Sequence, residues 1–158
     1  MNREIKELLN KQINAELTAA YQYLGFSNFF DSKNLNGYGN YYRVQAKEEI
    51  KHAMRIYDYL IKCNEKVSLL VIEAPLDNYK DIDEVLDAAL QKEIEISNMI
   101  SEIFETTQTM KDFASKIFIR WFIEEQQEEI ADAQKMINDY QLFKNNLYEL
   151  NEKYAKRS

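Results

Sequence analysis

Glu48-Glu49-Ile50-Lys51-His52 lies inside a run whose apolar positions return every three or four residues: Tyr42, Ala46, Ala53, Ile56 and Leu60. That period describes a helix burying one face. Glu49 falls on the same stripe, and His52, the only histidine in the chain, shares its face from three residues further on. A carboxylate therefore occupies a position where an apolar side chain is expected. Burying it without a partner costs several kcal/mol or forces its protonation, and a metal cation is one of the few partners that suffice.

The remaining stripes repeat this interruption. A first helix, expected from about Arg3 to Phe30, carries Ile5, Leu9, Ile13, Glu16, Ala20 and Tyr23 on one face before Asp31-Ser32-Lys33-Asn34 and Gly37 break it. The second, already described, spans about Gly39 to Asn64. A third, over about residues 82–108, starts at the capping-box variant Asp81-Ile82-Asp83-Glu84 and carries Ile82, Leu86, Ala89, Glu93, Ile96, Ile100 and Ile103. A fourth, over about 111–140 and capped from Thr109-Met110-Lys111-Asp112, carries Ala114, Phe118, Phe122, Gln126, Glu129, Ala133, Ile137 and Tyr140. A short fifth helix is expected over about 144–154, with Leu147, Leu150 and Tyr154 on one face.

Between the second and third helices lie some fifteen residues, Glu65 to Lys80, containing the chain's only proline, Pro75, and no clear period. A helix of about 26 residues is about 39 Å long. An extended segment covers about 3.3 Å per residue, so this one can run the length of a bundle and set the second and third helices parallel. The expected fold is all-α: a four-helix bundle with one long crossover and a short C-terminal helix, as a single domain over residues 1–158.

Composition agrees. Three glycines and one proline in 158 residues leave little turn material, while 46% hydrophobic and 30% charged residues suit long amphipathic helices. A net charge of −7 argues against a nucleic-acid-binding face and for cations as ligands or substrates. Cys63 stands alone, which leaves no disulfide within the chain and no cysteine zinc site, and is read as packing. The N-terminus lacks an apolar signal core and no apolar run is long enough to span a membrane, so a cytoplasmic protein is expected.

With two antiparallel pairs joined by a crossover, the four interruptions fall at similar heights and converge: Glu16, Glu49 with His52, Glu93, and Gln126 with Glu129. Several carboxylates and one imidazole suit iron, manganese or zinc rather than copper(I) or an iron–sulfur cluster. Two ions about 3.5 to 4 Å apart can share one carboxylate, for which Glu49 is the candidate. Glu48, about 100° around the helix from Glu49, together with Glu125, Glu128 and Glu129, offers a third cation position. Glu-x-x-His alone is a weak signal. Four interruptions in four consecutive stripes are a strong one.

The residues that carry this pattern are similar to those of the bacterial non-haem ferritins over essentially the whole chain. They are Glu16 and Tyr23, Glu48-Glu49-Ile50-Lys51-His52, Glu93, Trp121-Phe122-Ile123-Glu124-Glu125-Gln126-Gln127-Glu128-Glu129, and Leu147-Tyr148-Glu149-Leu150. The resemblance implies one iron at Glu16, Glu49 and His52, a second at Glu49, Glu93 and Glu129 with Gln126 nearby, and a third at Glu48, Glu125, Glu128 and Glu129. It implies Tyr23 and Trp121 beside this centre, oxidation of Fe(II) to Fe(III) by dioxygen or hydrogen peroxide, and storage of a ferric mineral in a hollow shell of twenty-four subunits. Tyr38, Tyr41, Tyr42 and Tyr79 are available for subunit contacts, although core packing explains a tyrosine equally well. The fourth helix has no second Glu-x-x-His, which separates the chain from bacterioferritins and rubrerythrins. Ile50 stands where bacterioferritin has its haem-ligating methionine, so no haem is expected. Two other readings remain: a di-iron peroxidase or oxidase of the same fold without storage, and a metal-free helical interaction protein.

Overall fold

The computed structural model describes residues 1–158 as five helices with no strand: α1 (Arg3–Ser32), α2 (Asn36–Lys62), α3 (Ile82–Thr109), α4 (Phe113–Phe143) and α5 (Leu147–Tyr154). α1 packs along α2, α3 along α4, α1 also against α3, and α5 against α2 and α4. The buried stripes of the four long helices meet in one core that includes Leu9, Phe26, Phe30, Ile56, Leu86, Ile100 and Phe122. No helix is long and apolar enough to cross a membrane.

The first three helices stop in the same way. Leu35 N–H bonds to Phe30 O (2.9 Å) and Asn34 N–H to Asp31 O (3.0 Å), with Asn34 in the left-handed region at φ 58°. Asn64 and Lys111 close α2 and α3 with the same paired bonds and φ values of 59° and 55°. This reversal satisfies the last carbonyls of a helix and ends it. It also explains two shifted boundaries. α1 runs on through Ser32 to the turn, and α4 starts at Phe113 because the left-handed Lys111 cannot enter a helix.

The expected phase of α4 is corrected at its first turn. Ala114 is exposed, and Ser115 and Ile119 take the buried places. Asp112 caps the helix by accepting from Ser115 N (3.0 Å) and from the Ser115 hydroxyl (2.9 Å), while Tyr59 Oη meets Ser115 Oγ at 2.9 Å. Burying Ser115 is therefore inexpensive. Further along, Met136 is buried where Ala133 and Ile137 are only half-buried.

α2 begins three residues earlier than its sequence suggests, and the cause is distant in sequence. Leu35 supplies no side-chain cap; instead Asn151 Oδ1, from α5, accepts from Gly37 N (2.7 Å) and Tyr38 N (3.3 Å). A Cβ on residue 37 would lie 1.8 Å from the Asn151 carbonyl oxygen, so only glycine allows α5 this close. Tyr38 and Tyr42 are buried in the chain's own core, whereas Tyr41 and Tyr79 are half-buried.

The crossover, residues 63–81, is an extended segment clamped to α1 by side-chain amides that bond its peptide groups as a neighbouring strand would. Asn10 accepts from Ser68 N (2.6 Å), and Asn14 accepts from Leu70 N (2.7 Å) while donating to Ser68 O (2.8 Å). Gln22 accepts from Leu76 N (2.9 Å) and donates to Leu76 O (3.0 Å). Each such bond contributes about 1 kcal/mol net, but leaving one of these buried amides unpaired costs about 1–3 kcal/mol. Since residues 66 to 76 follow α1 in its own direction, α3 starts at the same end as α2 and runs parallel to it. The four mid-helix interruptions therefore come to one height.

Candidate metal centre

At that height the bundle contains a polar island. Glu16 is 0% exposed, Glu49 1%, Glu93 3%, His52 5% and Gln126 2%. Ligand atoms fall into three groups, each within 4.8 Å: Glu16, Glu49 and His52; Glu49, Glu93 and Glu129; His52, Glu125 and Glu129. Glu49 belongs to the first two groups, so its two oxygens can serve two neighbouring points.

Each acid is held by an amide or hydroxyl. Gln12 Nε2 donates to Glu16 Oε1 (2.8 Å), and Gln45 Nε2 donates to Glu49 Oε1 (2.8 Å) and Glu129 Oε1 (3.0 Å). Gln126 Nε2 donates to Glu93 Oε2 (2.5 Å) and to the Glu93 carbonyl (3.2 Å), and the Tyr23 hydroxyl donates to Glu93 Oε1. His52 Nδ1 faces Glu49 Oε2 at 3.2 Å and Glu129 Oε1 at 4.0 Å; its Nε2 lies 4.0 Å from Glu125 Oε1. The imidazole is steadied edge-on by Trp121 and Phe122, at ring separations of 5.5 and 6.1 Å. The Arg55 guanidinium covers Trp121 at 4.1 Å.

Gln12 and Gln45 are the site residues that reading the sequence missed. A signal existed: each buried helical glutamate of α1 and α2 has a glutamine four residues before it, Gln12 with Glu16 and Gln45 with Glu49. One helical turn puts that amide beside the carboxylate. Other residues stand at the margin. Gln126 presents its amide nitrogen to Glu93, and Glu125 completes the third group from a half-buried position. Glu128 is exposed and joins none of the three groups; Glu48 is half-buried, also outside them, and paired with Arg157.

Electrostatically the island is unbalanced. No lysine or arginine pairs with Glu16, Glu49, Glu93 or Glu129, and the only partner with a potential charge is His52. Burial first, and then the Glu49 charge, push Glu16 well above the ordinary carboxyl range. The same two causes raise Glu93 to about 7, against the opposing hydrogen bonds from Tyr23 and Gln126. Glu129 is raised to about 10 by burial, then by Glu49 and Glu93. Burial and the neighbouring Glu93 push the Tyr23 phenol well up. Metal-free, such a cluster retains protons at neutral pH.

The donor set fits divalent or trivalent cations. Glu16 Oε2 and Glu129 Oε2 are buried and have no hydrogen-bond partner within the protein. Buried polar atoms are rarely left so. Oxygen-rich sets with one imidazole nitrogen suit iron, manganese and zinc. A cleft of about 280 Å³, lined by Glu48, Lys51, His52, Arg55, Trp121 and Glu125, reaches the imidazole from the surface of the chain.

Known proteins resemble this chain in sequence and in architecture. The family model for the ferritin-like domain matches residues 6–143. A bacterial non-heme ferritin of Staphylococcus saprophyticus is 34% identical over 131 residues, covering 83% of this chain and 78% of that protein. One from Campylobacter jejuni is 32% identical over 146 residues, covering 89% and 87%. Among solved structures, an open-pore ferritin from the archaeon Archaeoglobus fulgidus superposes with a TM-score of 0.97 at 32% identity, covering 100% of this chain and 98% of that one.

Proposed function

The chain belongs to the ferritin family, and on that premise we propose that it oxidises Fe(II) at the buried carboxylate and imidazole centre and stores the Fe(III) as a mineral. The observation that carries this reading is the double membership of Glu49, which lies within 4.8 Å of ligand atoms in two adjoining groups. Fe(II) is the substrate. One ion is assigned to Glu16, Glu49 and His52, the other to Glu49, Glu93 and Glu129, and the Gln126 amide holds Glu93 in place. The chain's own contribution is to fix both positions before iron arrives, supply anionic oxygens that favour the ferric product, and give up the protons held by Glu16, Glu93 and Glu129.

Two ferrous ions release one electron each, which balances the two-electron reduction of dioxygen to hydrogen peroxide or of peroxide to water. Tyr23, whose hydroxyl donates to Glu93, and Trp121, against His52, are the aromatic groups next to this exchange. A third cation position is assigned to the His52, Glu125 and Glu129 side of the cluster, with Glu48 and Glu128 as further ligands on that side.

Assembly into a closed shell of twenty-four copies and a cytoplasmic location belong to the same reading. Largely exposed Phe113, Ile117 and Leu142 support assembly, being apolar surface that association would cover. A half-buried lone Cys63 is compatible with a reducing compartment.

The test of storage is to add Fe(II) in air, in large excess over the ligand groups, to metal-free protein and pass it over a sizing column. Storage predicts much more iron than the three ligand groups of each chain can hold co-eluting with one large assembly. An oxidation that stops once the few bound ions have turned over instead identifies a di-iron oxidase or peroxidase that stores nothing.

A further inference from the structure

We propose that the Arg157 guanidinium is a tethered cation that competes with a metal ion for Glu48, and thereby sets how tightly the third cation position is held. The inference rests on the assignment of that position above, but concerns a residue outside it.

After α5 the chain turns back along the first turns of α2. Asn40 Nδ2 donates to the carbonyls of Arg157 (2.8 Å) and Ala155 (3.4 Å), which fixes the backbone. The Arg157 guanidinium then lies over the Tyr41 ring at 4.2 Å, and its Nη2 donates to Glu48 Oε2. Its side chain is 22% exposed, and Nη1 is buried with no acceptor. Arg157 also lines a water-sized cavity of about 30 Å³ whose other walls include Tyr23, Glu93 and Glu129. Backbone anchors, a ring beneath and a carboxylate in front therefore hold the guanidinium at the edge of the centre.

One carboxylate cannot serve both a guanidinium and a metal ion in full. With Glu48 held by Arg157, the third group is left with His52, Glu125 and Glu129, and Glu48 joins none of the three groups. A cation that recruits Glu48 must either take Oε2 from Arg157 or bind the other oxygen beside the guanidinium, and in both cases it competes with that positive charge. The tether keeps the competitor at a fixed high local concentration whatever the solution contains. The result is a third position that fills only when cation is plentiful and empties easily, while the Glu49 pair, which Arg157 does not touch, is unaffected.

The experiment is an anaerobic Fe(II) titration of the metal-free protein by equilibrium dialysis, in five forms: unaltered, Arg157→Ala, Arg157→Lys, Glu48→Gln, and Arg157→Ala combined with Glu48→Gln. We expect two tight ions of equal affinity in the unaltered protein and Arg157→Ala, with the third bound about fivefold more tightly in Arg157→Ala. In the Glu48→Gln background the Arg157 change should have no effect, since the coupling runs through that carboxylate. Arg157→Lys, which keeps the charge, should stay near the unaltered protein. The inference is overturned if Arg157→Ala leaves the third affinity unchanged, if the gain persists without Glu48, or if every form binds two ions only. Failure of all forms to bind iron overturns the metal-centre assignment itself, and this inference with it.

Discussion

Glu49→Gln is expected to abolish accelerated Fe(II) oxidation and, in the same molecule, to raise the melting temperature of the metal-free protein. The loss follows from the geometry. Glu49 is the one carboxylate within reach of both groups, and a neutral amide cannot neutralise two cations. Losing even an outer partner of a metal ligand costs about 10–100-fold, so losing this shared ligand should reduce the initial rate by ~100-fold or more, to that of iron without protein. The gain in stability follows from the electrostatics. After burial, the Glu49 charge is the next cause of the raised carboxyls at Glu16, Glu93 and Glu129. An amide of the same shape removes that repulsion and can still accept from Gln45. Stopped-flow absorbance and thermal melts read the two effects. An unchanged oxidation rate, or a lower apo melting temperature, contradicts the account.

The second large effect is on pH dependence, and metal reverses its sign. Glu93 and Glu129 have folded-state values of about 7 and about 10 against an ordinary 4.5. The folded apo protein therefore binds more protons than the unfolded chain between these limits, and stability falls as pH rises. The contribution is fully present below about pH 4.5, fades through 7 for Glu93, and is gone only above 10 for Glu129. Surface pairs act in the opposite sense at lower pH. Asp139, despite partial burial, is held at about 2 by hydrogen bonds from Lys153, Tyr154 and Lys135, so its contribution is lost on acidification below the ordinary 3.8. Metal-free protein should therefore be most stable near pH 4 and lose about 5–10 °C of melting temperature between about pH 5.5 and 8.5. Loaded protein should gain stability over the same range, because its ligands must be deprotonated. Parallel pH curves with and without metal contradict a buried ligand cluster.

Much of this was legible in the residues, for a physical reason. A buried acid in an apolar stripe is costly enough that Glu16, Glu49 and Glu93 each mark a helix face and a height, and the span of residues 65–80 sets the direction of α3. What escaped reading depends on partners remote in the chain. Asn151 caps α2 from 114 residues away, and Arg157 reaches Glu48 across 109. No local pattern announces either. Asn10, Asn14 and Gln22 look like polar residues flanking the α1 stripe, and their burial makes sense only once the crossover lies on them. The phase of α4 slipped because Ser115 looks less apolar than Ala114, yet its hydroxyl is satisfied by Asp112 and Tyr59. Gln12 and Gln45 were within reach through their repeated spacing to Glu16 and Glu49.

The central claim is that Glu49 is shared by two irons, and crystals soaked anaerobically in Fe(II), measured at the iron absorption edge, test it directly. The account predicts two anomalous peaks about 3.5 to 4 Å apart with Glu49 between them, one beside Glu16 and His52 and the other beside Glu93 and Glu129. A single peak, or iron confined to the surface acids with none at Glu49, contradicts it.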